Sequence, residues 1–396
     1  MTLPLVAYAD LHDDVLVGPL LDLASQPDDE LIAAEAARAA MSLAEPFAGA
    51  IARAVLRSDG PFAMASRAGL SPDDARIAIA KGELERLGVL AHGDAARILA
   101  RHGLDGALSA RGRAAHPGAT PPAAAALAGA MVAAGGWGRH AAALAAFHAT
   151  DGIGNLAVHR VLRWVDGALI GIDAPDAVTL DDLVGYDAER APLLADLAAF
   201  VAGAPANDAL LYGPPGTGKS VAVRACAAAF GESGLRLVQV ERDHLDELEL
   251  VLLALRGAGP KTILFLDDLV VDDGDRLDRA LRATLDGGVA ERPENVVVWA
   301  TSNRLNLLHS TLSERADDVD AAETAGEKVA LAARFGRRVR FERQDKAAYL
   351  AICHRLVRDR LGDLPQTIDA DAMRFAVQGH GLSARTARQF ADGYRP

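Results

Sequence analysis

Residues 209–220 read ALLYGPPGTGKS, a short apolar run leading into glycines, prolines, one lysine and one serine. From Gly213 to Ser220 the stretch satisfies G-x-x-x-x-G-K-[ST] in full. The spacing is chemical. Glycines let the backbone wrap closely around phosphate oxygens, and the first amides of the following helix supply partial positive charge. In such a loop Lys219 reaches the β- and γ-phosphates and the Ser220 hydroxyl ligates Mg²⁺. The context fits, because an apolar strand precedes the loop and helical spacing follows it over 218–230.

Working outward, LRLVQV (235–240), TILFLD (262–267) and NVVVWAT (295–301) read as strands, and 337–341 as a last one. Helices are expected near 243–256 and over 275–285. Continuous apolar strands separated by helices indicate an α/β fold with a parallel sheet covered on both faces. The strand 263–268 ends in two carboxylates, and it is expected to lie beside the strand that carries the phosphate loop. Asp267 is then placed to orient Mg²⁺ and its waters, and Asp268 to polarise an attacking water. Asp272, Asp273 and Asp275 read as solvated residues.

Residues 1–175 are rich in Ala and Leu at helical spacing and read as a mainly helical domain, either a bundle or a winged-helix-like module. Two helices span 28–56, parted near Pro46. Ser71-Pro72-Asp73-Asp74 reads as a helix start with Ser71 as the cap. That helix should end at Gly88. The stretch 114–138 carries no Lys, Arg, Asp or Glu, but prolines and glycines leave only 123–134 clean. That is short of the roughly 20 residues a membrane span needs, so a buried Ala-rich helix is expected instead. After about 344 three further helices, 345–361, 369–379 and 383–394, form a small appended domain. The expected division is therefore 1–175, 176–343 and 344–396.

Composition narrows the function classes. The chain has 396 residues, 51% hydrophobic and 24% charged, as soluble globular chains do. Its formal net charge of -13 gives a mean field that disfavours general binding to nucleic acid or anionic membranes, without excluding nucleic acid at a local basic patch. Cys226 and Cys353 are the two cysteines, too few for a zinc site by themselves. The eleven histidines form no metal-ligand spacing. The first residues show no basic n-region and no uninterrupted apolar core, so no signal peptide is read and a cytoplasmic location is expected. Cys226 and Trp164 read as packing residues, His140 and His148 as ordinary helix residues, and Gly152-Ile153-Gly154 is too short for a dinucleotide signature.

The order of motifs resembles the AAA+ ATPases over about residues 179–389. The stretches LDDLVGYDAER, ANDALLYGPPGTGKS, ILFLDDL, WATSNR, ARFG and SARTARQF further resemble a bacterial family of AAA+ ATPases catalogued as domain of unknown function 815. The resemblance implies a P-loop module with a C-terminal helical lid, binding ATP and Mg²⁺. It implies that Val184, Gly185 and Tyr186 line the base pocket. Gly213, Pro214, Pro215, Gly216, Thr217, Gly218, Lys219, Ser220 and Val221 would hold the phosphates, and Ser220 and Asp267 the metal. Asn303 then corresponds to sensor 1, orienting water against the γ-phosphate. Arg334 corresponds to an arginine finger given to a neighbouring subunit, with Arg337, Arg338 and Arg340 as rivals. Arg385 corresponds to sensor 2 on the lid, with Arg388 as its rival. Many AAA+ proteins have Asp-Glu where this chain has Asp267-Asp268, a departure shared with replication initiators and helicase loaders.

The leading expectation is an ATP-hydrolysing AAA+ protein that remodels or loads an unidentified protein client as an ATP-dependent homo-oligomer, ring or filament, with no membrane role. A slowly hydrolysing ATP-gated switch of helicase-loader type is the alternative. A small-molecule P-loop kinase ranks third, because a finger arginine and a lid motif are surplus to it. From Arg334 to Pro396 there are 13 Lys+Arg and 7 Asp+Glu, a net of +6 within a chain of net -13. The acidity therefore belongs to the preceding residues, a polarity suited to head-to-tail contact between copies.

Overall fold

The computed structural model describes residues 5–42, 46–108, 119–269, 271–272, 293–303, 308–309 and 332–395. The expected helix over 275–285 lies outside the described residues, as do Asp273 and Asp275.

The first part is helical: α1 (Val17–Ser25), α2 (Glu30–Met41), α3 (Phe47–Arg57), α4 (Pro61–Arg67), α5 (Ala75–Val89), α6 (Ala95–Arg101), α7 (Pro122–Ala134), α8 (Ala141–Asp151) and the single turn α9 (Asn155–Val158). They share one apolar core that includes Tyr8, Ile51, Phe62, Leu84, Trp137 and Leu144. Among the described residues before Val161 there is no strand, and the helices pack as a bundle. Pro46 caps α3, as its lack of an amide hydrogen allows.

Three local readings are corrected. The cap of α5 is Asp74, whose carboxylate accepts from the Arg76 amide, while Ser71–Asp74 forms a turn closed by the Asp74 amide and Ser71 carbonyl at 3.0 Å. Gly88 does not end that helix. The chain continues through a π turn (Leu90–Asp94) into α6, and Gly88 is small because Trp137 packs there: a Cβ would lie 2.9 Å from the Trp137 ring. Helix α7 is not buried all round, because only Ala124 and Met131 are fully buried on it.

The sheet has seven strands: β1 (Val161–Val165), β2 (Ala168–Gly171), β3 (Ala209–Tyr212), β4 (Arg236–Val240), β5 (Thr262–Leu266), β7 (Val296–Ser302) and β9 (Arg337–Arg340), in the order β2-β1-β4-β5-β7-β3-β9. The two-residue pieces β6 (Val271–Asp272) and β8 (Leu308–His309) pair only with each other. All neighbours in the large sheet run parallel except the hairpin β1–β2. β5 and β7 are buried at every residue, as strands covered on both faces must be. The helical reading of 1–175 thus needs correction over 161–171, where β1 and β2 extend the sheet. So does the expected adjacency of the acidic strand and the loop strand, because β7 lies between β5 and β3.

Helices α10 (Asp187–Val201), α11 (Lys219–Ala229) and α12 (Leu248–Leu255) flank the sheet. Two apolar cores result, one around Leu210, Val238 and Leu264, the other around Leu211, Phe265 and Trp299. The last helices, α13 (Lys346–Leu361), α14 (Ile368–Phe375) and α15 (Ala384–Gly393), pack around Tyr349, Ile368 and Phe390. Ser383 caps α15 through the Thr386 amide at 3.1 Å.

Candidate functional site: a phosphate-loop cleft under a helical lid

β3 ends at Tyr212 and α11 starts at Lys219, so the loop between them is framed by strand and helix. Gly213 is required twice over. Its φ is +145°, and a Cβ would lie 2.0 Å from the Phe341 carbonyl oxygen. That close approach ties the loop to the residue following β9. Gly216, at φ +81°, faces the lid: a Cβ there would stand 3.4 Å from Ser383 at the head of α15. The loop is braced internally by the Thr217 hydroxyl, which donates to the Pro214 carbonyl at 2.9 Å.

Lys219 is held inside this loop. Its ammonium donates to the carbonyls of Gly213 (2.8 Å) and Pro214 (2.9 Å) and to Oδ1 of Asn303 (3.0 Å). Burial draws its pKa below the usual lysine range, while Asp268 and then Asp267 pull the other way. The next residue, Ser220, donates its hydroxyl to Asp267 Oδ1 at 2.6 Å. Asn303 closes the far side, its Nδ2 donating to Asp268 Oδ1 at 2.7 Å. Lys219, Ser220, Asp267, Asp268 and Asn303 form one polar network through Thr301. The Thr301 hydroxyl joins Ser220–Asp267 to Lys219–Asn303–Asp268 by bonding Asp267 Oδ1 at 2.6 Å and the Asp268 amide at 2.8 Å. The intervening strand does not break it, because β7 ends in small polar residues level with the end of β5.

These groups line a cleft of about 670 Å³ between the sheet and the lid, within the size range of small-molecule sites. Val184, Tyr186, Pro215, Thr217, Val221 and Arg385 line it as well, and so does Arg388. Gly185 borders a neighbouring depression, and Gly213 and Pro214 turn backbone carbonyls to Lys219 without forming the wall. Tyr186 spends its hydroxyl on the Glu342 carbonyl at 2.8 Å and packs tilted against Phe341, ring centres 4.8 Å apart; burial raises its pKa to about 12. Its ring is thus mostly a core group.

Arg334 is not among the residues lining this cleft. The reason is topological. β9 begins with Arg337 beside Ala209, the first residue of β3, whereas the phosphate loop leaves the last residue, Tyr212. Arg334 therefore lies a strand length away, at the opposite end of the sheet. Of its rivals, Arg337 is committed to Asp196 by two bonds of 2.8 and 2.9 Å, and Arg340 pairs with Glu342 at 3.3 Å.

Sequence reasoning missed part of the wall. Val178, Leu183, Ile352 and Leu356 make its apolar side. Arg224 and Arg355 stand at its edges, 3.9 Å from Asp176 and 3.5 Å from Asp182. Helical phase was a usable signal: Ile352, Arg355 and Leu356 follow one another at i, i+3 and i+4 on α13. Cys226 and Trp164 are both buried packing residues, as expected. Burial pushes the Cys226 thiol up to about 12, and the Trp164 indole is buried and donates to Glu247 at 2.6 Å.

The donor chemistry suits a hard cation with a nucleotide. A serine hydroxyl and a single carboxylate meet beside the phosphate loop, and among the described residues no group of three or more His, Cys, Asp or Glu gathers. Mg²⁺ is held in this sparse way when phosphates and waters complete its shell. No helix of the described residues is long and apolar enough to cross a membrane.

A family model described as "Protein of unknown function (DUF815)" matches residues 157–395. Among curated proteins, the chain is similar to 26S proteasome regulatory subunit 6A of Saccharomyces cerevisiae, 35% identical over 122 residues. That match takes in 26% of this chain and 28% of the yeast protein, so the chain spans little more than a quarter of that relative's length. Among solved structures, the Thermotoga maritima RuvB Holliday junction branch migration motor aligns at TM-score 0.39 and 20% identity, over 54% of this chain and 63% of that one. The FIGL-1 AAA domain in complex with ADP aligns at TM-score 0.38 and 18% identity, over 55% and 73%.

Proposed function

The chain belongs to the DUF815 family and has the AAA+ architecture, and on that premise we propose that it binds Mg²⁺·ATP in the cleft and hydrolyses it. The observation that carries this reading is the set Lys219, Ser220, Asp267, Asp268 and Asn303 at the head of α11, joined through the Thr301 hydroxyl. Bound Mg²⁺ would neutralise charge on the β- and γ-phosphates. Ser220 and Asp267 would hold it, and Lys219 would exchange its loop carbonyls for phosphate oxygens. Asp268 takes the proton of the attacking water, and Asn303 orients that water. Arg385 and Arg388 meet the phosphates from the lid, residues 344–396, which we take as the moving part. Positioning and electrostatic stabilisation dominate such chemistry.

Arg334 is read as completing a neighbour's cleft. The strand length separating it from its own cleft supports that assignment, as does the polarity of charge along the chain. The assembly is then a homo-oligomer built head to tail, and closing or opening the lid transmits hydrolysis to a client. Phosphate release measured against protein concentration tests this. The rate per chain should rise as copies associate, and Arg334→Ala should abolish the rise. An Arg334→Ala protein that keeps the full rate at all concentrations contradicts the finger.

One observation favours the slower, switch-like reading. Asp268 Oδ1 is occupied by the Asn303 amide at 2.7 Å, which leaves one carboxylate oxygen, Oδ2, to take a proton from water. Turnover of several per second without any partner would count against the switch.

A further inference from the structure

We infer that Thr301 is a positioning residue that sets both acidic side chains of the cleft from the strand lying between them and the phosphate loop. This inference rests on the Mg²⁺·ATP reading above and adds a residue to it.

Thr301 is the penultimate residue of β7 and is 1% exposed. Its hydroxyl has two partners. It donates to Asp267 Oδ1 at 2.6 Å and accepts from the Asp268 amide at 2.8 Å. Its carbonyl accepts from the Leu269 amide at 2.7 Å, and its neighbour Ser302 donates its hydroxyl to the Leu269 carbonyl at 2.9 Å. Four bonds thus clamp residues 267–269 to the end of β7.

Each bond of the hydroxyl has a consequence. Asp267 Oδ1 receives both Ser220 Oγ and Thr301 Oγ1, each at 2.6 Å. Two donors on one oxygen hold the carboxylate in place and leave Oδ2 engaged by neither hydroxyl. Asp268 has φ +52°, a left-handed backbone that few non-glycine residues adopt. The bond from its amide to Thr301 holds it there and so aims its carboxylate at Asn303. One hydroxyl therefore governs the metal-side acid through its oxygen and the water-side acid through its backbone. Valine, nearly the same shape, removes both bonds; serine keeps both.

Binding of ATP to the full chain is measured by calorimetry at varied Mg²⁺ and in EDTA, alongside phosphate release, for wild type, Thr301→Val and Thr301→Ser. In EDTA, Thr301→Val should bind ATP as wild type does, because Lys219 and the loop amides are untouched. With Mg²⁺ its half-saturating metal concentration should rise and its turnover fall, by about 10–100-fold, as for other residues that orient a metal ligand. Thr301→Ser should stay near wild type in both. Equal Mg²⁺ dependence and equal turnover in wild type and Thr301→Val overturn the positioning role. So does an equal loss in EDTA, which marks general damage to the cleft, and so does a serine variant as impaired as the valine one. A wild-type chain that binds no ATP at all overturns the nucleotide reading itself, and this inference with it.

Discussion

One buried cation fastens the helical part to the sheet with three hydrogen bonds, and removing it should cost stability without touching the cleft. Arg236 opens β4 and is 0% exposed. Its Nε donates to the Leu156 carbonyl in α9 at 3.0 Å, Nη1 to the Gly234 carbonyl at 2.7 Å, and Nη2 to Asp151, the last residue of α8, at 3.3 Å. Burial lowers its pKa to about 10 while Asp151 pulls it back up, so it remains charged at neutral pH. Arg236→Met keeps the length of the stem and removes every donor. Breaking a buried pair in this way costs about 3–5 kcal/mol. Two effects reduce that here: the Asp151 side chain keeps 18% exposure, and the cation's own desolvation cost disappears with it. We expect a loss of about 3 kcal/mol, at the low end of that range. Urea unfolding followed by tryptophan fluorescence measures it, since Trp137 reports the helical core and Trp164 and Trp299 report the sheet. Arg236 pairs in register with Thr262, at the opposite end of β5 from Asp267, so ATP affinity of the folded variant should not change. A loss below about 1 kcal/mol, the ordinary scale of a point substitution, would refute the assignment of Arg236 as the fastener.

Two further outcomes concern Asp268 in the cleft and His148 in the helical core. Asp268→Asn keeps the shape of the side chain and its contact with Asn303, so ATP binding should persist while phosphate release falls by roughly 10²–10⁴-fold; an unchanged release rate removes Asp268 as the base. His148 is buried against Phe62 and Phe147, and burial lowers its pKa to about 4 despite its backbone bond to Gly152 and the nearby Asp151 charge. Unfolded, it titrates near 6.5, so below that pH the unfolded chain binds the extra proton. Its contribution is full above about pH 6.5 and is lost as pH falls towards about 4, a total of about 3 kcal/mol. His148→Gln should flatten that part of the stability curve, and an unchanged acid loss would contradict this origin.

The strand–loop–helix setting of residues 209–229 was legible because the loop pattern has a fixed spacing between an apolar run and a helical one. The strand order was not legible. β3, β5 and β7 are all short apolar runs buried on both faces, and nothing local says which two are neighbours. The expectation that the acidic strand adjoins the loop strand failed for that reason. The hairpin β1–β2 did carry a signal. Asp166-Gly167 sits between the paired residues Val165 and Ala168, with φ +47° and +82°. That is the turn chemistry of a two-residue hairpin loop; it was hidden by the Ala-rich helical composition before it. Gly88 misled for a different reason, since a glycine marks close approach as readily as a helix end, and here it makes room for Trp137. The apolar wall of the cleft comes from two distant segments of the chain, one with Val178 and Leu183 and one with Ile352 and Leu356 on α13, which only the tertiary fold brings together.

The most direct test of the nucleotide cleft is calorimetric titration of Mg²⁺·ATP into the full chain and into Lys219→Ala. Wild type should bind one nucleotide per chain. Lys219→Ala, having lost the ammonium that bridges the loop carbonyls and Asn303, should bind at least about tenfold more weakly, a difference of about 1.4 kcal/mol. No binding by wild type, or equal binding by the two proteins, would contradict the assignment of this cleft to Mg²⁺·ATP.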